Sequence, residues 1–196
     1  MKRLLLAMSL LVAGCALPVS PPPAEVTHTL ALDARVTVPA PLPAARTLQV
    51  MPPTAAPGYT SPAMAYRSSA YELRYFARQR WVDRPARLIE QALADGLAAG
   101  GASLVSAGSG AQPDYRLLTD LVQLEQDFTG KPSRVRLVLR VQLVDVAARR
   151  LLGSDTLRLE QAAASDDAAG GVAAANALLE QAVREVAAFC RRTAGG

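Results

Sequence analysis

The chain has 196 residues, 51% of them hydrophobic, with three Phe, five Tyr and one Trp. That length suits one domain with a sizeable core. Its 21 cationic residues against 17 acids give a formal charge of +4, and 19 against 17 remain without Lys2 and Arg3. So small an excess does not argue for a nucleic-acid partner.

The chain begins "MKRLLLAMSLLVAGCAL". Lys2 and Arg3 make a positive start, and Leu4 to Ala13 is an apolar run of secretory-signal length. It is too short for a membrane span of about 20 residues. Leu11-Val12-Ala13-Gly14-Cys15 resembles a bacterial lipobox, in which cleavage falls between Gly14 and Cys15 and the cysteine thiol takes a diacylglycerol. The order Leu-x-Ala-Gly-Cys directly after the apolar run favours lipidation of Cys15 over a plain signal peptide with a cysteine nearby. Ala16, rather than Asp, follows the cysteine, which by the enterobacterial sorting rule directs the product to the periplasmic face of the outer membrane. The expected division is a signal peptide over 1–14, a lipidated, Pro-rich tether over 15–25 and one domain over 26–196.

Eleven of the fourteen prolines lie at or before Pro62. "LPVSPPPAE" reads as a polyproline-type spacer. "EVTHTLAL" predicts a first strand, with Val26, His28, Leu30 and Leu32 alternating against Thr27, Thr29 and Ala31. "RTLQVMPP" predicts a second, ended by prolines. "AMAYR" and "AYELRYFA" read as two strands joined at Ser68-Ser69, with Tyr71, Leu73 and Tyr75 on one face. Asp83 suits an N-cap, Pro85 a first turn, and Gly100-Gly101 a stop, around the apolar stripe Leu88, Ile89, Ala92, Leu93 and Leu97. "ASLVSAG" is a short strand. Three long strands follow, over 114–128, 133–146 and 150–162. Val135, Leu137, Leu139, Val141 and Leu143 share an apolar face, and Arg134, Arg136, Arg140 and Gln142 a wet one. The last helix is expected from about Gly171 to Arg192, with Val172, Ala175, Leu179, Val183, Val186 and Cys190 inward. The fold class is α+β: a two-layer domain with a mostly antiparallel mixed sheet, a long β-meander and two amphipathic helices on one face.

Chemistry is sparse. His28 is the only histidine, on the predicted first strand with no Ser or Asp around it that suggests a triad. One His and one remaining Cys, Cys190, are too few for a typical zinc site, and no metal or cofactor is expected. Cys190 reads as a small buried hydrophobe on the last helix. "SAGSGAQ" lacks the Lys of a phosphate loop and no helix follows it. Asp166-Asp167 suits a linker and the cap region of the last helix. Arg134, Arg136 and Arg140 suit either a docking stripe for an acidic partner or a solvated sheet face.

One stretch stands apart. "MAYRSSAYELRYFARQRWVDRP" gathers Tyr66, Tyr71, Tyr75, Phe76 and Trp81, interleaved with Arg67, Arg74, Arg78 and Arg80. Trp81 reads as a plug at a strand-to-helix corner. Tyr66, Tyr71, Tyr75, Arg74 and Arg78 are candidate partner-binding residues, since Tyr and Arg are typical of interface hot spots; the alternative is packing, with Tyr71 and Tyr75 anchoring a strand.

"MAYRSSAYELRYFARQRWVDRPARLIEQAL" closely resembles the central motif of the ABC-type transport auxiliary lipoproteins. The matching positions are Tyr66, Tyr71, Tyr75, Trp81, Pro85, Leu88 and Leu93. The lipobox, the first strand, the meander and the last helix also fall in family order, so the resemblance spans nearly the whole mature chain. It implies a non-enzymatic outer-membrane lipoprotein of the paraquat-inducible protein C kind. Such a subunit docks the periplasmic assembly of an MCE-type system, which moves phospholipids or other hydrophobic molecules. Its partners would be an MCE-domain protein and, through it, an inner-membrane ABC permease and ATPase; a homo-oligomer is compatible with the pattern. The competing reading is an assembly-factor lipoprotein like those of lipopolysaccharide assembly.

Overall fold

The computed structural model describes residues 24–195. In chain order the elements are β1 (Val26–His28), β2 (Thr47–Val50), β3 (Thr54–Ala55), a 3-10 turn (Pro57–Tyr59), β4 (Ala63–Ser69), β5 (Glu72–Trp81), α1 (Pro85–Ala99), β6 (Ser103–Leu104), β7 (Tyr115–Asp127), β8 (Arg134–Asp145), β9 (Arg150–Ala162) and α2 (Ala168–Ala194).

β7 is the spine of a nine-stranded mixed sheet. One edge pairs antiparallel with β8, and β8 with β9, along almost their full lengths. The other edge takes three parallel strands in succession. β2 lies opposite Tyr115 to Leu117, β3 opposite Asp120 and Leu121, and β4 opposite Glu125 to Asp127. β5 folds back antiparallel on β4, β1 lies parallel to β5, and β6 parallel to β2. The long ladders are the antiparallel ones, as expected of a meander.

Both helices form where the apolar stripes predict. Leu88, Ile89, Ala92, Leu93 and Leu97 of α1 are buried, as are Ala175, Leu179, Val183, Val186 and Cys190 of α2. α2 lies over β8 and β9, where Val135, Leu137, Leu139, Val141 and Leu143 make the sheet's half of the core. The helices meet at Gly96, where a Cβ would collide with Val183. Burying this stripe is the main source of stability, at about 1.5–3 kcal/mol per large aliphatic side chain.

Several boundaries differ from the sequence expectation. The first strand ends at His28 because the backbone leaves the sheet for α2. Asn176 Oδ1 accepts from the Ala31 amide (2.9 Å), and its Nδ2 donates to the Thr29 carbonyl (3.3 Å). Leu30 is still buried. The β4–β5 turn falls at Ala70-Tyr71, two residues beyond Ser68-Ser69, because pairing continues to Ser69 opposite Glu72. Arg84, not Asp83, occupies the N-cap position of α1; the Asp83 carboxylate instead accepts from the Arg84 amide (2.6 Å). α2 begins at Ala168, three residues early, because Asp167 Oδ1 caps it by accepting from the Gly170 amide (2.8 Å).

The face away from the helices is less wet than the alternation implies. The segment around Tyr59 folds over it, and Tyr59 and Glu125 are both buried there. A bulge between Leu121 and Gln123 reverses the facing of β7, which brings the Glu125 carboxylate to this side, opposite Arg136.

Candidate functional site

The aromatic segment divides three ways. Tyr66, Phe76 and Phe128 form one cluster on the helix side of the sheet. Tyr66 lies 4.8 Å from Phe76 and 5.8 Å from Phe128 between ring centroids, and the second pair is edge-on. Such pairs add about 0.5–1.5 kcal/mol beyond area burial. Trp81 is buried at the end of β5, its amide donating to the Pro62 carbonyl (2.8 Å). It fills the corner before Pro85, as the sequence predicts.

Tyr75 and Leu73 turn to the opposite face. Both reach the chain at Gly58, where the Tyr75 hydroxyl donates to the Gly58 carbonyl (3.0 Å). Tyr75 is 45% exposed. Tyr71 follows no strand alternation because it sits in the turn, and it is fully exposed. Arg74 pairs with Glu72 (2.7 Å), and Arg78 stands exposed on β5. The five candidate residues therefore do not make one patch. Tyr66 serves packing, and Tyr71 at the hairpin tip is the part of the segment that the fold leaves wholly free.

The arginines of the meander are engaged. Arg134 and Arg136 both bind Glu160 (2.8 and 2.9 Å), Arg136 also meets Asp127 (2.6 Å), and Arg140 meets Asp120 (2.9 Å). The Arg134 and Arg136 guanidiniums hold the Glu160 carboxyl below its ordinary range through these hydrogen bonds. This face is a neutralised lattice of charges rather than a bare cationic stripe.

A buried polar cluster lies beneath Tyr59, and the sequence reading did not find it. The Glu125 carboxylate accepts from the Tyr59 hydroxyl (2.6 Å), Arg67 Nε (2.7 Å) and Gln123 Nε2 (2.9 Å). Burial, then the bond to Glu125, pushes the Tyr59 phenol well above its usual range, so it stays a donor. Sequence alternation in β7 does not mark it, because Leu118 and Val122 are apolar as well as Leu117 and Leu121; burial runs odd through Leu121 and then even at Leu124, where the bulge turns Glu125 over. The cluster ties β4, β7 and the segment ahead of β4 together.

The remaining candidates are plain. His28 lies on the edge strand β1, its Nε2 2.6 Å from Gln79 Oε1. Among the described residues no group of three or more His, Cys, Asp or Glu side chains is placed to hold a metal ion. Burial pushes the Cys190 thiol up to about 12, so it stays protonated and unreactive in the folded protein. Gly14 and Cys15 lie outside the described residues. No helix among the described residues is long and apolar enough to cross a membrane.

The family model for the ABC-type transport auxiliary lipoprotein component matches residues 28–187, from the end of the first strand into the last third of the last helix. The chain belongs to this family. A similar fold is seen in a crystal structure of a DUF330 protein from Xanthomonas campestris, with 21% identity and a TM-score of 0.74 over 87% of this chain and 97% of that one. An uncharacterized protein of known structure follows at 14% identity and 0.66, covering 85% and 99%. A hypothetical protein from Chlamydia trachomatis follows at 11% and 0.51, covering 74% and 95%. At these identities the likeness is one of fold. No curated protein matches the chain. Auxiliary lipoproteins of this family accompany ABC-type transport.

Proposed function

We propose that this protein is the non-catalytic outer-membrane subunit of an MCE-type ABC transport system, anchored through lipid on Cys15. In this reading the folded domain docks a periplasmic MCE assembly, and the inner-membrane permease and ATPase supply transport and energy. The family match over residues 28–187 carries the reading. The lipobox at Leu11 to Cys15 and Ala16 after it support the anchor and its destination.

Two measurements test it. Mass spectrometry of the protein extracted from membranes should find a diacylglyceryl group on Cys15, and Cys15→Ser should lack it and leave the outer-membrane fraction. The full-length protein should co-purify from crosslinked envelopes with an MCE-domain protein. A lipidated protein that recovers no such partner would end the docking part of the reading and leave the anchor standing.

A further inference from the structure

We infer that the β4–β5 hairpin faces the bilayer that holds the lipid, with the Tyr71 ring seated among the phospholipid headgroups. The inference rests on Cys15 being the anchor.

The first observation is direction. β1 runs parallel to β5, with Val26 opposite Gln79 and His28 opposite Trp81. Glu25 pairs with Arg80 (3.0 Å). Followed backwards from His28 to Ala24, the chain therefore runs along β5 towards its start, and the hairpin tip at Ala70-Tyr71 lies in the direction from which the chain enters the sheet.

Length is the second. From the level of Ala24, near Ala77, the tip is six residues away along β5, roughly 20 Å at the rise of a strand. The nine steps from Cys15 to Ala24 include Pro18, Pro21, Pro22 and Pro23, and span at most about 28–30 Å in an extended, polyproline-like form. A fully drawn tether would put Cys15 only about 10 Å past Tyr71. A less extended tether that keeps the direction of β1 would bring the tip into the headgroup layer.

The opposite end of the sheet is the natural rival, because Arg149, Arg150 and the half-exposed Leu151 stand there. It lies about nine residues down the strands from the level of Ala24, roughly 30 Å against roughly 20 Å for the tip, so the tip is the nearer of the two to the point where the chain enters the sheet.

Chemistry is the third. Tyr71 is 102% exposed and no packing in the described fold uses it. A phenol has an apolar ring and a polar hydroxyl, the combination that settles at a membrane–water boundary. Lys131, in the β7–β8 turn, lies at this end as well. Of the acids there, Glu72 and Asp127 are paired with Arg74 and Arg136, while Asp166 and Asp167 keep their charge and accept from the Ser133 and Gly170 amides.

The test uses the full-length lipidated protein in vesicles of phosphatidylethanolamine and phosphatidylglycerol. Two single variants, Tyr71→Trp and Leu151→Trp, place a fluorophore at either end, and buried Trp81 supplies the constant background seen in the parent. Brominated phospholipids should quench the Tyr71→Trp emission and shift it to the blue, with Leu151→Trp unaffected. With Cys15 acylation confirmed on the same sample, an unquenched Tyr71→Trp overturns the inference and leaves the anchor intact. Equal quenching at both ends means that the domain lies flat and also overturns it. A Tyr71→Trp shielded only when an MCE-domain protein is added assigns the tip to protein docking instead. Absence of the acyl group from Cys15 defeats the anchor reading itself, a result read from the mass alone.

Discussion

The two hairpins of this sheet are built to opposite rules. β8–β9 is paired along nearly its whole length, and its inward residues from Val135 to Leu143 are all buried beneath α2. β4–β5 is paired with two irregularities, packs tightly only near its base at Met64, Ala65 and Trp81, and ends in a fully exposed tyrosine. Where a helix covers a hairpin, burial dictates the side chains. Where nothing covers it, the fold does not require the residues present, and an aromatic there is available for contact.

That contrast can be broken from either side. The largest effect should come from Val183→Asp on the stripe of α2, fully buried where the helix crosses Gly96. An unpaired charge at that site should cost about 4 kcal/mol or more, and the variant should be largely unfolded by circular dichroism at ordinary temperature. A variant that melts like the parent would show that α2 does not cover the meander. Trp81→Ala should follow, at about 3 kcal/mol, because it empties the corner at the base of β4–β5. Urea denaturation measures it, and a loss below about 1 kcal/mol would mean the base is as loosely packed as the tip.

Arg67→Ala should cost about 2 kcal/mol. It leaves the buried Glu125 carboxylate with Tyr59 and Gln123 alone, while Arg67 itself is 27% exposed and partly hydrated. Arg67→Ala combined with Glu125→Gln should recover part of that loss; no recovery would show that the ion pair is not what Arg67 contributes. The smallest effect belongs to Tyr71→Ala, which should shift stability by no more than about 0.5 kcal/mol. A clear drop in Tm would show that the ring packs after all and end its candidacy as a contact residue.

Legibility followed the same division. The helix stripes and the meander could be read because burial on one face enforces a period, and that period survives in Leu88 to Leu97 and in Val135 to Leu143. The tip could not. Ala70-Tyr71 carries none of the Gly or Asn that usually marks a tight hairpin turn, so Ser68-Ser69 drew the boundary instead. β1 stopped short because one side chain, Asn176, takes over two of the backbone groups that the alternation assigned to a strand. The Glu125 cluster is long-range, joining residues 58 and 66 positions apart, and the apolar Leu118 and Val122 hide the change of facing at the bulge. In the candidate site, the sequence located the unusual segment and the corner role of Trp81, but not which tyrosines are free.

The position of β7 also sets an order of events. β2, β3 and β4 do not pair with one another; each is held in the sheet on one side by a strand that follows some fifty residues or more later in the chain. Closing such loops is slow compared with forming a local hairpin. As the chain is made, everything up to β6 must wait, with only the β4–β5 hairpin and α1 able to form from neighbouring residues. The second half has no such delay, since β7, β8, β9 and α2 are successive neighbours. Folding is therefore expected to start at the C-terminal half and to draw the N-terminal half onto it. A fragment ending before Tyr115 should remain without stable structure, and one starting at Asp114 should collapse first.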